Sequence, residues 1–432
     1  MKKWPITTLI LIAIIVILAT ALIGTLLYLR NQPAPVRGVA PLVTLATQEP
    51  DSSQWGLNFP NEYSTYLQTV SNAARTAYGG SEPYSKLEAD PRLVALFAGY
   101  SFSKDYNEER GHGNSLTDVR ATLRINDKTP GTCYSCKSSD NPRLWSELGM
   151  AEFDRLPFAT LGERISNPIG CANCHEANTM RLVVTNPALE NALTAQGKDW
   201  RTFTRQEMRT VVCGNCHVEY YFEGDGKLLT FPWDGGSRID DIAAYYAKEQ
   251  FADWTHAASG AAMIKMQHPE FEMFTAGSTH FAAGVACADC HMPYTRDGAA
   301  KFSTHNVRSP LLNAATACGA CHQNVEYATG RVAVIQAQTR ATMEAAEDAL
   351  IAAIEAIHAA ASSPAADAGR LEQARSLHRE AQLRWDFVAA ENSMGFHNPE
   401  EALRILAAAT DLARQAQIMA LQATTAKFAF AP

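Results

Sequence analysis

The sequence predicts a mainly α-helical protein with little β structure, and two observations carry that reading. First, the last hundred residues are rich in Ala, Leu, Glu, Gln and Arg, with apolar residues at helical spacing over 331 to 361, 368 to 392 and 399 to 428. Second, the stretch before them reads as short helices joined by long loops, with strand signal confined to Arg181–Thr185 and Lys227–Phe231. Gly330 marks a break ahead of the first long helix, and Ser362-Ser363-Pro364 separates the first from the second. Asn398-Pro399 offers an N-cap and first-turn pair to open the third. Loops of such length are unusual in an ordinary domain unless something other than side chains supplies apolar mass.

The cysteines say what that something is. All ten fall into five Cys-x-x-Cys pairs, and four pairs are followed at once by histidine: Cys171/Cys174/His175, Cys213/Cys216/His217, Cys287/Cys290/His291 and Cys318/Cys321/His322. C-x-x-C-H is the attachment signature of c-type haem, in which two thiols form thioethers and the next residue is delivered to the iron. The fifth pair, Cys133/Cys136, is followed by Lys137, which makes it a fifth haem site with an unusual axial ligand. Zinc ribbons pair such units two by two, so five would leave one stranded, and zinc chemistry gives no reason for a histidine at the next position. A disulfide scaffold suits short chains without a core, whereas this chain has 432 residues of which 47% are apolar. Thioredoxin-like motifs would need a βαβ pattern around each pair, which is absent from the sequence. The reading is therefore a multihaem cytochrome c fold with long C-terminal helices.

Histidine counting agrees. Of twelve histidines, four are proximal, leaving His112, His256, His268, His280, His305, His358, His378 and His397. Four His-ligated haems need four distal ligands, and the Lys137 haem needs an open distal face if it is to bind a substrate. A lysine amine must shed its proton to bind iron, and lysine pKa values shift readily beside a metal cation.

Lys2 and Lys3 precede an uncharged stretch from Ile6 to Leu29, long enough to cross a bilayer as a helix. No clear cleavage site separates it from the linker Asn31-Gln32-Pro33-Ala34-Pro35, so residues 1–30 read as an uncleaved signal anchor, with a cleaved signal the alternative. Either way the chain beyond is exported, the periplasmic side being where thioether attachment occurs. Residues 31–50 are the linker, 51–330 the haem region and 331–432 a helical region in one compact domain with it. The formal charge of −8 argues against nucleic acid as a partner.

On these motifs the chain resembles the ammonia-forming cytochrome c nitrite reductases over roughly residues 50 to 425. The resemblance rests on one C-x-x-C-K followed by four C-x-x-C-H, on Cys216-His217-Val218-Glu219-Tyr220-Tyr221-Phe222, on Lys265-Met266-Gln267-His268-Pro269, and on Cys290-His291-Met292-Pro293. It implies five covalent haems c, with Lys137 the proximal ligand of the active-site haem and Arg124, Tyr220 and His268 around its open face. Arg120 is the alternative arginine upstream of Cys133. It implies distal ligands His112, His280, His305 and His397, and a calcium site made by Glu219, the carbonyls of Tyr220 and Lys265, and Gln267; oxygen donors suit that hard cation. His256, His358 and His378 are left as non-ligands. The implied reaction is six-electron reduction of nitrite to ammonium. Alternatives are an electron-transfer protein without a substrate site, or a related reductase of hydroxylamine, nitric oxide or sulfite. The implied partners are a multihaem quinol dehydrogenase or other cytochrome donor and a second copy of the chain across the C-terminal helices.

Overall fold

The computed structural model describes residues 5–31, 41–108 and 110–424, with the side chains of Ile6, Leu9 and residues 26–31 left aside. The chain divides into two compact units, Met1–Thr44 and Leu45–Pro432. In the first, Ile6–Asn31 is one helix, and Ile10, Leu11, Ile15, Ile17, Leu18, Leu22 and Ile23 all stand exposed on it. Among the described residues no helix is long and apolar enough to cross a membrane. The expected anchor over residues 6 to 29 runs past the described side chains, and the linker expected at 31–50 lies partly outside the described residues.

The second unit is built on three long helices, Val325–Ala361, Ala368–Ala390 and Pro399–Thr424. They follow the expected segments with two differences. The first helix does not begin after Gly330 but runs through it, because Asn324 caps Val325–Ala361 by accepting the Tyr327 amide at 2.8 Å. A glycine inside a helix costs about 1 kcal/mol against alanine, too little to end a helix whose cap and buried face lie on either side. The third helix is described only to Thr424, so the expected residues 425 to 428 lie outside the described part. The second helix is capped by Asp367, which accepts the Arg370 amide at 3.1 Å.

Strands are few, as the pattern predicts: the described residues form four two-stranded antiparallel sheets. Leu228–Thr230 pairs with Tyr221–Glu223, placing Tyr221 opposite Thr230, which fulfils one strand expectation. Arg181–Thr185 is not a strand. It makes an isolated bridge, His175 to Leu182, with the Val183 amide donating to Cys174 at 2.9 Å, so its extended backbone pairs with the haem-attachment turn instead of with a partner strand.

The largest apolar cluster joins the long helices to Phe97, Trp254, Met263 and Met266, with Trp385 and Phe387 fully buried at its centre. Two smaller clusters flank the cysteine motifs, one from Val184 to Trp233 and one from Leu116 to Ile165. The cysteine loops are thus wedged between preformed apolar walls.

Candidate functional site

Each C-x-x-C-H motif begins in a tight helical turn. His175, His217 and His322 each donate their backbone amide to the first cysteine of their motif, at 3.0, 2.9 and 2.8 Å. That turn gathers two thiols and the following imidazole on one side of the chain, the arrangement one porphyrin needs. The lysine motif differs locally: the Lys137 amide donates to Tyr134 rather than to Cys133, at 2.9 Å. All ten cysteines are thiols, with no disulfide among the described residues. Burial pushes Cys133 and Cys171 up to about 11 and Cys174 and Cys290 up to about 12.

The histidines fall into pairs. Ring centres lie 6.4 Å apart for His112 and His217, 6.2 Å for His175 and His305, 6.3 Å for His280 and His322, and 6.2 Å for His291 and His397. A metal–imidazole bond of roughly 2 Å on each side of one ion, plus the two ring half-widths, gives roughly 6 Å. Each histidine that follows a Cys-x-x-Cys pair therefore faces one of the four expected distal residues at a separation that would admit one metal ion between the rings. His217 has a second neighbour at 6.4 Å, His268. There, however, both rings turn Nδ1 toward the Glu270 carboxylate, at 3.6 and 3.9 Å. Burial holds His112, His175 and His291 down at about 4, so these rings are neutral, the form in which imidazole binds a metal.

Around Lys137 the expected residues come from separate segments. Lys137 lies within electrostatic reach of Cys133, Cys136 and His112. Arg124 donates Nη1 to the Asp105 carbonyl at 3.0 Å and lies 4.2 Å from the Phe102 ring centre. Its charge also reaches Cys133. Arg120, by contrast, is exposed and donates to the carbonyls of Gly162 and Ile165, a structural tie of that loop. Asp105 clips the Arg124 loop from the other side, its carboxylate accepting the Thr122 hydroxyl at 2.5 Å and the Leu123 amide at 2.7 Å.

Tyr220 and His268 are tied together through their neighbours. The Gln267 amide donates to Glu219 Oε2 at 2.6 Å, Tyr246 donates its hydroxyl to Glu219 Oε1 at 2.7 Å, and the Gln267 side chain lies 3.0 Å from the Lys265 carbonyl. Glu219, Gln267 and the Lys265 carbonyl therefore converge. Burial pushes the Glu219 carboxyl well above its usual range, an environment in which a hard cation would favour the charged form. The donor set fits calcium once the Gln267 amide turns its oxygen to the Lys265 side. The Lys265 side chain points elsewhere: its ammonium is fully buried, 2.8 Å from Asp386, and sits 5.1 to 5.5 Å from the rings of Phe97, Phe102 and Tyr106. Phe102 thus meets both Lys265 and Arg124.

Three histidines stand apart from these pairs. His256 and His378 are buried and edge-on at 5.2 Å, and exposed His358 lies 3.1 Å from the Ala258 carbonyl. Sequence reasoning missed Glu270 and Glu391, the carboxylates behind His217, His268 and His397. Proximity offered a signal, since Glu270 lies two residues after His268 and Glu391 six before His397.

The cytochrome c552 family profile matches residues 51–431. The cytochrome c-552 of Parabacteroides distasonis is 43% identical over 369 residues, covering 84% of this chain and 74% of the relative. That of Desulfotalea psychrophila is 36% identical over 426 residues, covering 94% and 82%. Among solved structures, the catalytic subunit of cytochrome c nitrite reductase from Desulfovibrio desulfuricans ATCC 27774, described with two calcium sites, aligns with a TM-score of 0.82 at 35% identity, over 90% of this chain and 88% of that one. The resemblance read from the haem motifs is borne out, and on family profile, relatives and fold together the chain belongs to the cytochrome c552 family.

Proposed function

We propose that this protein reduces nitrite to ammonium by six electrons at the haem of Cys133 and Cys136, fed by four bis-histidine haems, in the exported compartment. The observation that carries the reading is the single lysine-bearing motif beside four facing pairs of imidazoles: one attachment site is set apart from four. When bound, haem supplies an iron that takes up the substrate nitrogen and passes electrons to it. The chain's own residues do the rest. Arg124, held by Phe102 and the Asp105 carbonyl, presents guanidinium N–H groups to an anion and stabilises negative charge on its oxygens. His268, its Nδ1 facing Glu270 at 3.9 Å, would deliver a proton to a departing oxygen. Tyr220 follows Glu219 directly and orients what binds opposite Lys137. Glu219, Tyr220, Lys265 and Gln267 would hold calcium, adding a fixed positive charge beside the pocket.

The cysteines support an order of carriers. Cys136 neighbours Cys216, Cys213 neighbours Cys287, and Cys290 lies within electrostatic reach of Cys318 and Cys321. The haem of Cys213/Cys216 would therefore sit between the lysine site and the line leading outward to Cys321, which is exposed. A multihaem quinol dehydrogenase or other cytochrome would supply the electrons. A homodimer through the C-terminal helices has support in Tyr327 and Val334, seven residues apart on the first helix, and Ile418 and Leu421 on the third, all exposed.

The test is a spectrum of the haem-loaded protein. A high-spin ferric signal from one haem that shifts on adding nitrite supports the reading; five low-spin haems indifferent to nitrite make the chain an electron wire. Relative turnover of nitrite, hydroxylamine and sulfite then ranks the substrates. His268→Ala is expected to cut ammonium production roughly 100-fold with haem content unchanged, and an unaltered rate would remove His268 as proton donor.

A further inference from the structure

The imidazole pairs differ in what stands behind them. The Nδ1 atoms of His175 and His305 donate to the carbonyls of Met180 and Ser303 at 3.0 and 2.9 Å, and that of His291 to the Arg308 carbonyl at 3.1 Å. His397 departs from this pattern: its Nδ1 lies 2.9 Å from Oε2 of Glu391, whose side chain is wholly buried. The surrounding turn is built to hold that carboxylate. Glu391 Oε1 accepts the Ser393 hydroxyl and the Gly395 amide, each at 2.8 Å, and the His397 amide donates to Ser393 Oγ at 2.8 Å. Gly395 has φ +79°, and any Cβ there would run into Thr339, so the turn can close this way only with glycine.

A carboxylate behind an imidazole draws on its N–H proton more strongly than a carbonyl does, which makes the opposite nitrogen a stronger donor to a metal. It also places negative charge near the ion in a buried setting. Both effects favour the ferric over the ferrous state. We propose that Glu391 sets the haem of Cys287 and Cys290 harder to reduce than the haem of Cys171 and Cys174, whose two ligands are both backed by carbonyls. This rests on the reading above that haems occupy these motifs. His217 has a carboxylate neighbour as well, Glu270, but at 3.6 Å it is more distant than Glu391 is from His397, and this haem falls between the two cases. Because Cys287 neighbours Cys213 and Cys290 neighbours Cys318 and Cys321, the tuned haem lies mid-line. A carrier made harder to reduce at that place holds an electron less readily and passes it on more readily than it would with a carbonyl behind His397.

The experiment is a redox titration of the complete holoprotein, followed by absorbance and low-spin resonance signals, with haem counted per chain. Glu391→Gln keeps the size and an accepting oxygen but removes the charge. One bis-histidine haem is expected to become easier to reduce, its reduced-to-oxidised ratio rising roughly tenfold at a fixed poise, while the others stay put. Glu391→Asp, which keeps the charge, is expected to lie nearer the wild type. His397→Ala should turn that same component high-spin, identifying it. An unchanged titration in a fully loaded Glu391→Gln protein, an equal shift in every haem, or loss of haem from both Glu391 variants overturns the proposal. A wild-type protein with fewer than five haems overturns the haem reading beneath it, a result the haem count reveals before any titration.

Discussion

At the residue scale, the buried pair His256 and His378 shows how a histidine is kept neutral. His256 Nε2 donates to the Ala95 carbonyl at 2.9 Å, and its Nδ1 accepts the amides of Ala258 and Ser259. His378 contacts the Ser259 hydroxyl and, at 3.1 Å, Gln382, whose own amide donates to the Leu96 carbonyl. Burial, with His256 beside it, holds His378 down at about 3. A base depressed in the folded state contributes stability above its unfolded value near 6.5, and that contribution drains away as pH falls from 6.5 toward 3. His378→Gln is therefore expected to start less stable at pH 7, having lost a fitted hydrogen bond, but to lose less between pH 6.5 and 4; parallel unfolding curves for the two proteins would refute this. Asp105 offers a second residue-scale case. Asp105→Ala frees the Thr122–Arg124 loop, so the KM for nitrite is expected to rise while turnover of neutral hydroxylamine holds, and an equal loss for both would mean a general structural defect. The covalent haem anchors were legible because their chemistry demands fixed spacing along the chain. Glu270 and Glu391 were not, since a hydrogen bond behind a ligand leaves no spacing rule and is created only when the chain folds.

At the scale of elements, the long helices were legible because a buried stripe imposes its period on twenty or more residues. Their ends were less so. The cap at Asn324 prevails over the break suggested by Gly330, and the extended run at Arg181 bridges to His175 rather than joining a sheet. What draws the three helices together is an alanine seam: Ala353, Ala360, Ala374, Ala416, Ala420 and Ala423 are all buried in one cluster with Ile357. Small side chains let the backbones approach closely, so the seam has no room for volume. Ala416→Leu is expected to destabilise the fold by about 1–3 kcal/mol through overpacking. The same change at exposed Ala407 on the same helix should have little effect. Thermal unfolding of the two variants makes the comparison, and equal midpoints would mean the seam is looser than its burial implies.

At the scale of the whole molecule, the haem-attachment motifs all lie in the second unit, and the export proposed for it would call for a targeting element, for which the first unit offers the apolar run from Ile6 to Leu29. Ile10, Leu11, Ile15, Ile17, Leu18, Leu22 and Ile23 stand exposed on the helix Ile6–Asn31, and in the sequence the uncharged run from Ile6 to Leu29 has about the length a bilayer core takes. Two lysines ahead of it and an acidic remainder favour retention of the short N-terminus on the cytoplasmic side. The full-length protein is therefore expected in the membrane fraction, resistant to a high-salt wash that would strip an electrostatic attachment. Replacing residues 1–37 with a cleavable export signal should move it to the soluble periplasmic fraction with its haem content and nitrite response intact, because the haem pairs and the lysine site all lie beyond Leu45. Recovery of a soluble wild-type chain lacking its first thirty residues would show instead that the helix is a signal removed on export. Loss of haem on replacing the helix would show that the first unit contributes to the site as well as to its address.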